Sequence, residues 1–255
     1  MQSTGSLSRH VLAWEQLPAS DWTLGVVRSG FRLPWRERKA PLTRVPISFP
    51  PPGDPSAWKT LDLEVQSLLS KGAVELVHNQ DSPGFYGRLF TVPKASGGWR
   101  PVLDLSTLNT YLVHRHFRME TAGSIRDSPW GLGYLHRSQG RLFSSAHSRG
   151  GQEVSPFCLE GSGLSVRAVP FGLAPAPWLF TKVTKDLCTV VRRQGIRLRV
   201  YLDDWLLLAR SASQCQAHSQ FVLNLCMRLG FVLNDEKSEL VPSQKFFTWG
   251  FSSTL

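Results

Sequence analysis

Residues 200–211, VYLDDWLLLARS, set two adjacent carboxylates, Asp203 and Asp204, inside a run that is otherwise apolar. An uncompensated carboxylate in apolar surroundings is strongly disfavoured or takes up a proton, so the pair needs both a way out of the core and a counter-charge. Upstream, Ile196, Leu198 and Val200 alternate with Arg197 and Arg199, and WLLLA resumes the strand pattern after the acids. A period of two on both sides predicts a β-hairpin with the two carboxylates at its tip.

A tip lets both groups stay ionised if a divalent cation neutralises them. Magnesium suits such a position, because it prefers oxygen ligands and binds through one or two carboxylates plus substrate phosphates. Two such ions about 4 Å apart activate an attacking hydroxyl and stabilise a leaving pyrophosphate. An Asp-Asp pair standing alone reads more readily as a plain turn.

The rest of the chain narrows the choice. At 255 residues and 42% hydrophobic composition it can bury a substantial core as one large domain or two coupled subdomains. Basic residues number 29 and acidic ones 19, a formal net charge of +10 that points to a polyanionic partner, nucleic acid first. Cys158, Cys188, Cys215 and Cys226 form no C-x-x-C pair, which argues against structural zinc or a disulfide framework and for reduced thiols. The amino terminus MQSTGSLSRH lacks a signal-peptide core, and no apolar run approaches about 18 residues. A soluble intracellular protein without a membrane partner is expected.

Residues 1–53 read as a basic, proline-rich arm ending in FPPPGDP, with Arg36, Arg38 and Lys39 as a solvated charge run that could touch phosphate. Asp54 is a candidate N-cap for a helix of about four turns that ends at Gly72. GRLFTVPKASGGWRPVLDLSTLN then reads as two strands joined by a glycine turn, with Lys94, Arg100 and Asp104 around it. Helical spacing runs from Pro175 to Gly195, and again through His218, Phe221, Val222, Leu225, Cys226 and Leu229 to Gly230. His218 reads as a histidine at the edge of the core.

YLDD between apolar strands, preceded by VPFGLAPAPWLFTKV and by VPKASGGWRPVLDLSTLN, resembles the palm and fingers of a reverse transcriptase, most closely those of DIRS-like (tyrosine-recombinase) retrotransposons. The resemblance spans about residues 25–250. It implies an α+β fold: reverse-transcriptase-like fingers and palm, an antiparallel palm sheet packed on helices, and no thumb. The implied division is an arm over 1–53, fingers over 54–128, an aberrant segment over 129–157 and palm over 158–255. The implied function is RNA-directed DNA polymerase, with an RNA template, a DNA or RNA primer duplex, deoxynucleoside triphosphates and Mg2+. By position, Asp203 and Asp204 would bind metal and Tyr201 would pack beneath the primer end. Lys94 and Arg100 would hold the triphosphate, Phe171 and Gly172 would floor the nucleotide pocket, and Lys237 would lie near the departing pyrophosphate. Phe171 reads equally as core and Lys237 as surface; Asp104 would orient the fingers hairpin.

The chain departs from the family at one place. Polymerase chemistry of this type needs a third carboxylate on a strand beside the hairpin. Between Leu105 and Val200 the acids are Glu120, Asp127, Glu153, Glu160 and Asp186, none in an apolar strand-like run. In the expected place stands WGLGYLHRSQGRLFSSAHSRGGQEVSP, with neither a strand nor a helix period, so a long, poorly ordered loop and exposed sheet edges are expected. Codons for Trp130 to Pro156 read one base later permit GDWVTSIDLKDAYFHLPIHAAARKFLRF, which supplies the missing strand; its aspartate spans the codons of Arg137 and Ser138. Two compensating frame changes, near Asp127–Trp130 and near Phe157, are inferred. FFTWGFSST read two bases later permits LHVGFQFDT, a weaker second case. A catalytically defective polymerase is expected, with a basic nucleic-acid-binding remnant as the alternative.

Overall fold

The computed structural model describes residues 7–37, 42, 53–70, 72–76, 84–95, 97–119, 132–137, 156–159, 162–166, 169–170, 172–232, 238–243, 245–248 and 251–254, with the backbone alone in several strands. The fold is α+β, as expected. The chain divides into two compact units. The first comprises Ser29–His114 and Phe143–Ala176, together with Met1–Thr4; the second comprises Gly5–Arg28, Arg115–Leu142 and Pro177–Leu255.

The second unit holds the Asp-Asp hairpin. Helix α1 spans Val11–Glu15, after a 3-10 turn over Leu7–His10, and α2 spans Asp21–Ser29. These residues correct the reading of an arm: Trp14, Thr23 and Val27 are buried, and the tryptophans belong to an inward face rather than to a basic tail. Trp14 Nε1 donates to the Leu229 carbonyl at 3.0 Å, and His10 Nδ1 lies 2.8 Å from the Arg228 carbonyl. The segment therefore satisfies carbonyls that a helix end otherwise leaves unpaired. A Cβ on Gly230, where φ is +84°, would meet the His10 ring at 2.6 Å, so this approach needs glycine. On the other side Trp22 packs edge-on against Trp178 at 5.2 Å, with Lys182 Nζ 3.9 Å above the Trp22 ring.

In the first unit α3 spans Pro55–Ser70, β1 Val74–Leu76, β2 Arg88–Pro93, β3 Trp99–Asp104 and α4 Ser106–Thr110. Asp54 caps α3 as expected, accepting from Ser56 N at 2.7 Å and Ala57 N at 3.3 Å. The hydrogen bonds from Ser56 hold its carboxyl below the usual range. Strands β2 and β3 pair antiparallel from Arg88↔Asp104 to Pro93↔Trp99. Gly97 and Gly98, both at positive φ, turn the hairpin. Trp99 Nε1 ties it to α3 by donating to Ser56 Oγ at 2.9 Å. Arg36, expected in a solvated run, instead donates from Nε to the Leu112 carbonyl at 2.9 Å.

In chain order β4 spans Leu132–Arg137, β5 Pro156–Leu159, β6 Ser162–Val166 and α5 Ala176–Arg193. Then come β7 over Arg197–Tyr201, β8 over Asp204–Ala209 and α6 over Ala212–Arg228. Strands β9 (Glu239–Ser243), β10 (Lys245–Thr248) and β11 (Phe251–Thr254) follow. The second unit carries a four-stranded sheet in the order β7-β8-β4-β9 and a β10-β11 pair; the first carries β1-β6-β5 and β2-β3. The neighbouring strands of the larger sheet pair antiparallel.

Within the stretch expected to be a long, poorly ordered loop, Leu132–Arg137 instead form a strand, β4, while residues 130–131 and 138–155 lie outside the described residues. Residues 132–137 pair with β8 along their whole length and with β9 on the other side. The reason is backbone demand: β8 is buried from Trp205 to Ala209, and a buried strand leaves costly N–H and C=O groups unless a neighbour pairs with them. A short segment rich in Leu and Tyr meets that demand, although its glycines obscure the period.

Trp205, fully buried, packs edge-on against Phe231 at 5.6 Å, and Phe231 lies 6.0 Å from Trp14. This column links the hairpin base to the amino-terminal helices. Trp14→Ala removes its outer member and the bond to Leu229, and is expected to lower stability by about 3–5 kcal/mol, read from urea unfolding.

Candidate active site at the hairpin tip

The register Tyr201↔Asp204 leaves Leu202 and Asp203 as a two-residue turn between β7 and β8. Leu202 has φ +49°, in the left-handed region where a side chain costs about 1–2 kcal/mol. Such strain persists only where the surroundings fix it. Here Trp205 Nε1 donates to the Leu202 carbonyl at 3.1 Å, anchoring the turn to the aromatic column. Tyr201, Asp203 and Asp204 are thereby brought together at the tip, all half-buried.

Across the sheet, β4 meets β8 with Arg137 opposite Asp204, Leu135 opposite Leu206 and Gly133 opposite Leu208. Tyr201, Asp204 and Arg137 thus form one row over three strands. A two-ion centre needs a further oxygen donor beside the pair, and the residue in register is an arginine. Among the described residues no group of three His, Cys, Asp or Glu side chains could hold a metal ion.

The other expected site residues fall elsewhere. Lys94 opens the β2–β3 turn, where its backbone N–H donates to Gly98 O at 2.9 Å, and its side chain is exposed. Arg100, also exposed, pairs with Val92 in the same hairpin. Asp104 accepts from Ser106 N at 2.9 Å, which holds the turn into α4; the Ser106 hydrogen bonds lower its pKa. Gly172 is exposed at φ +86°. Phe171 and Lys237 lie outside the described residues, as do Glu120, Asp127, Glu153 and Glu160. Asp186 sits on α5 and accepts from Ser20 N and Oγ, both at 3.0 Å.

One positioning residue escaped the sequence reading. Asn109 Nδ2 donates to Gly172 O at 2.8 Å while Ala174 N donates to Asn109 Oδ1 at 2.7 Å, so a single amide clamps the loop before α5. The asparagine within STLN was the available signal. Cys188, Cys215 and Cys226 are buried and form no disulfide among the described residues, and burial pushes the Cys215 thiol up to about 11. No helix among the described residues is long and apolar enough to cross a membrane.

Residues 159–252 match the family model described as reverse transcriptase (RNA-dependent DNA polymerase). Protein P of hepatitis B virus genotype D is 32% identical over 91 residues, 35% of this chain and 10% of the relative. Protein P of a genotype B2 virus is 31% identical over 163 residues, 62% of this chain and 17% of the relative. The chain therefore spans less than a fifth of these curated relatives. Native prototype foamy virus protease-reverse transcriptase superposes with a TM-score of 0.67 at 15% identity, covering 100% of this chain and 36% of the other. A foamy viral protease-reverse transcriptase in complex with RNA/DNA hybrid gives 0.64 at 16% identity, covering 96% and 34%.

Two outcomes test the local physics. Leu202→Gly removes the left-handed penalty and is expected to raise stability by about 1 kcal/mol in chemical denaturation. His218 has a buried Nδ1 without a hydrogen-bond partner, and burial lowers its pKa. The unfolded chain then binds the proton more readily, so stability should be intact above the ordinary histidine pKa and fall as the pH drops through and below it. His218→Leu should flatten that fall in unfolding midpoints measured across the pH range. Residues 159–252 are thus similar to reverse transcriptases in sequence, and the fold is similar to that of the foamy virus protease-reverse transcriptases.

Proposed function

We propose that this chain is a fingers-palm piece of a DIRS-like retrotransposon reverse transcriptase that has lost catalysis. In this reading Asp203 and Asp204 descend from a magnesium-binding pair. Lys94 and Arg100 descend from triphosphate contacts, and Tyr201, Phe171, Gly172 and Lys237 from the nucleotide pocket. Fingers correspond to 54–128 and palm to 158–255.

The observation that carries the reading is the register of β4. Polymerase chemistry asks for a carboxylate beside the Asp-Asp tip, and the residue opposite Asp204 is Arg137. The codons of Arg137 and Ser138 are also those across which a shifted frame permits an aspartate, which supports the same position. Binding substrate without stabilising its transition state gives no rate, so retained nucleic-acid contacts would not rescue turnover.

Primer extension on an RNA template with magnesium tests the reading, with D203N as the blank. Incorporation by the natural chain is expected to equal the blank; incorporation above it sinks the proposal. Replacing residues 130–156 by GDWVTSIDLKDAYFHLPIHAAARKFLR should raise incorporation above the blank. At the nucleotide level, the bases between the codons of Thr121 and Glu160 must spell an aspartate in another frame.

A second reading, a surviving nucleic-acid-binding module, is favoured by the net charge of +10 and by exposed Lys94 and Arg100. Foamy viral relatives of the same fold are known in complex with dsDNA and with RNA/DNA hybrid. Counterion release predicts that affinity for a duplex falls linearly with the logarithm of salt, by a slope near 0.9 per phosphate contacted. A flat salt dependence would remove this reading.

A further inference from the structure

Helix α5 carries a cluster of charge and aromatic surface that shares no residue with the hairpin. Leu179, Val183, Leu187 and Val191 are buried along one face of this helix. Trp178, Lys182, Lys185 and Thr189 follow one another a turn apart and line the opposite face. Trp22 of α2 meets Trp178 edge-on at 5.2 Å, and Lys182 Nζ lies 3.9 Å from the centre of the Trp22 ring and 5.1 Å from that of Trp178. Arg115 Cζ lies 4.5 Å from the Trp178 centre. All of these residues belong to the second unit. The two indoles and Lys182 are half-buried, whereas Arg115, Lys185 and Arg193 are exposed. Among the described residues no ion pair engages Lys182, Lys185 or Arg193. Of the acids nearby, Asp186 accepts from Ser20 N and Oγ, and Asp21 opens α2. Arg192 is committed elsewhere, its Nε and Nη2 donating to the Leu198 carbonyl at 3.1 and 2.8 Å.

We propose that this face of α5 is a track for single-stranded nucleic acid, with phosphates on Lys182, Lys185 and Arg193 and an unpaired base against the Arg115–Trp178 pair. The proposal rests on the reading of a surviving nucleic-acid-binding module and deepens it by naming the surface and the form of the strand. Charge complementarity selects a polyanion, because ammonium and guanidinium groups that no carboxylate neutralises attract phosphate, and the chain as a whole carries a formal charge of +10. The aromatic groups select a single strand: in a duplex the bases stack on one another, whereas an unpaired base adds its face to an indole or a guanidinium plane. Contact with the indoles also holds Lys182 and Arg115 in place before a ligand arrives, so less side-chain freedom is lost on binding. From Trp178 to Arg193 the helix runs about 22 Å, room for several nucleotides.

The probe is a fluorescein-labelled oligouridylate, followed by anisotropy over a series of salt concentrations. The natural chain should bind it with an affinity that falls with salt. K182Q/K185Q/R193Q should bind at least about tenfold more weakly and lose about 2 from the salt slope, roughly 0.7 for each phosphate contact removed. Should the triple variant fail to fold because Lys182 supports the Trp22 ring, K185Q/R193Q changes only exposed side chains and should lose about 1.4 from the slope by the same rule. R115K keeps the charge and loses the planar face, so it should retain the natural slope yet bind several-fold more weakly; a heparin fragment should compete less well, charge for charge, than unlabelled oligouridylate. Charge variants with the affinity and slope of the natural chain would overturn the inference and leave the binding-module reading standing, the contacts then lying elsewhere. R115K indistinguishable from the natural chain, with heparin competing equally, would also overturn it, since the face would then take any polyanion. A natural chain that binds no oligouridylate but binds a duplex sinks the present inference alone, and one that binds neither sinks the binding-module reading with it.

Discussion

Charge compensation at the end of a buried strand is the constraint on which the second unit turns. Strand β8 is fully buried from Trp205 to Ala209, yet begins with Asp204 directly after Asp203. The chain resolves the conflict in stages. A tight turn at a strained Leu202 lifts both acids to the sheet's end, the Trp205 indole pins that turn, and neighbouring strands on both sides pair with the backbone of β8. Uncompensated burial of one carboxylate would rival the whole stability of a typical domain.

The same arrangement separates what the backbone of this sheet requires from what its side chains do. Pairing of β4 with β8 is a backbone matter, so Leu132–Arg137 can occupy its position between β8 and β9 whatever its side chains.

Much of this was legible in the sequence because local periods were strong. Alternation on both sides of Asp203 and Asp204 announced the hairpin, Asp54 announced the start of α3, and Gly195 and Gly230 fell just beyond the ends of α5 and α6. Two features were hidden, each for a physical reason. The glycines and polar residues around Leu132–Arg137 masked a short strand whose stability comes from its neighbours rather than its own propensity. Residues 7–29 were hidden because their tryptophans sit among arginines and serines, and only tertiary packing shows which face turns inward. The Asn109 clamp on Gly172 joins residues far apart in the chain and leaves no local trace. Of the candidate site, the sequence disclosed the acidic pair; the identity of the residue opposite Asp204 required a register.

The docking of α1 against the far end of α6 carries a practical lesson for dissecting this protein. His10 and Trp14 meet the carbonyls of Arg228 and Leu229, and Trp14 closes the stack over Phe231 and Trp205. An expression fragment started at α3 would strip the lid from that stack and let water reach the foot of the very turn under study. Insolubility of such a fragment would report on the missing first thirty residues and say nothing about the hairpin itself.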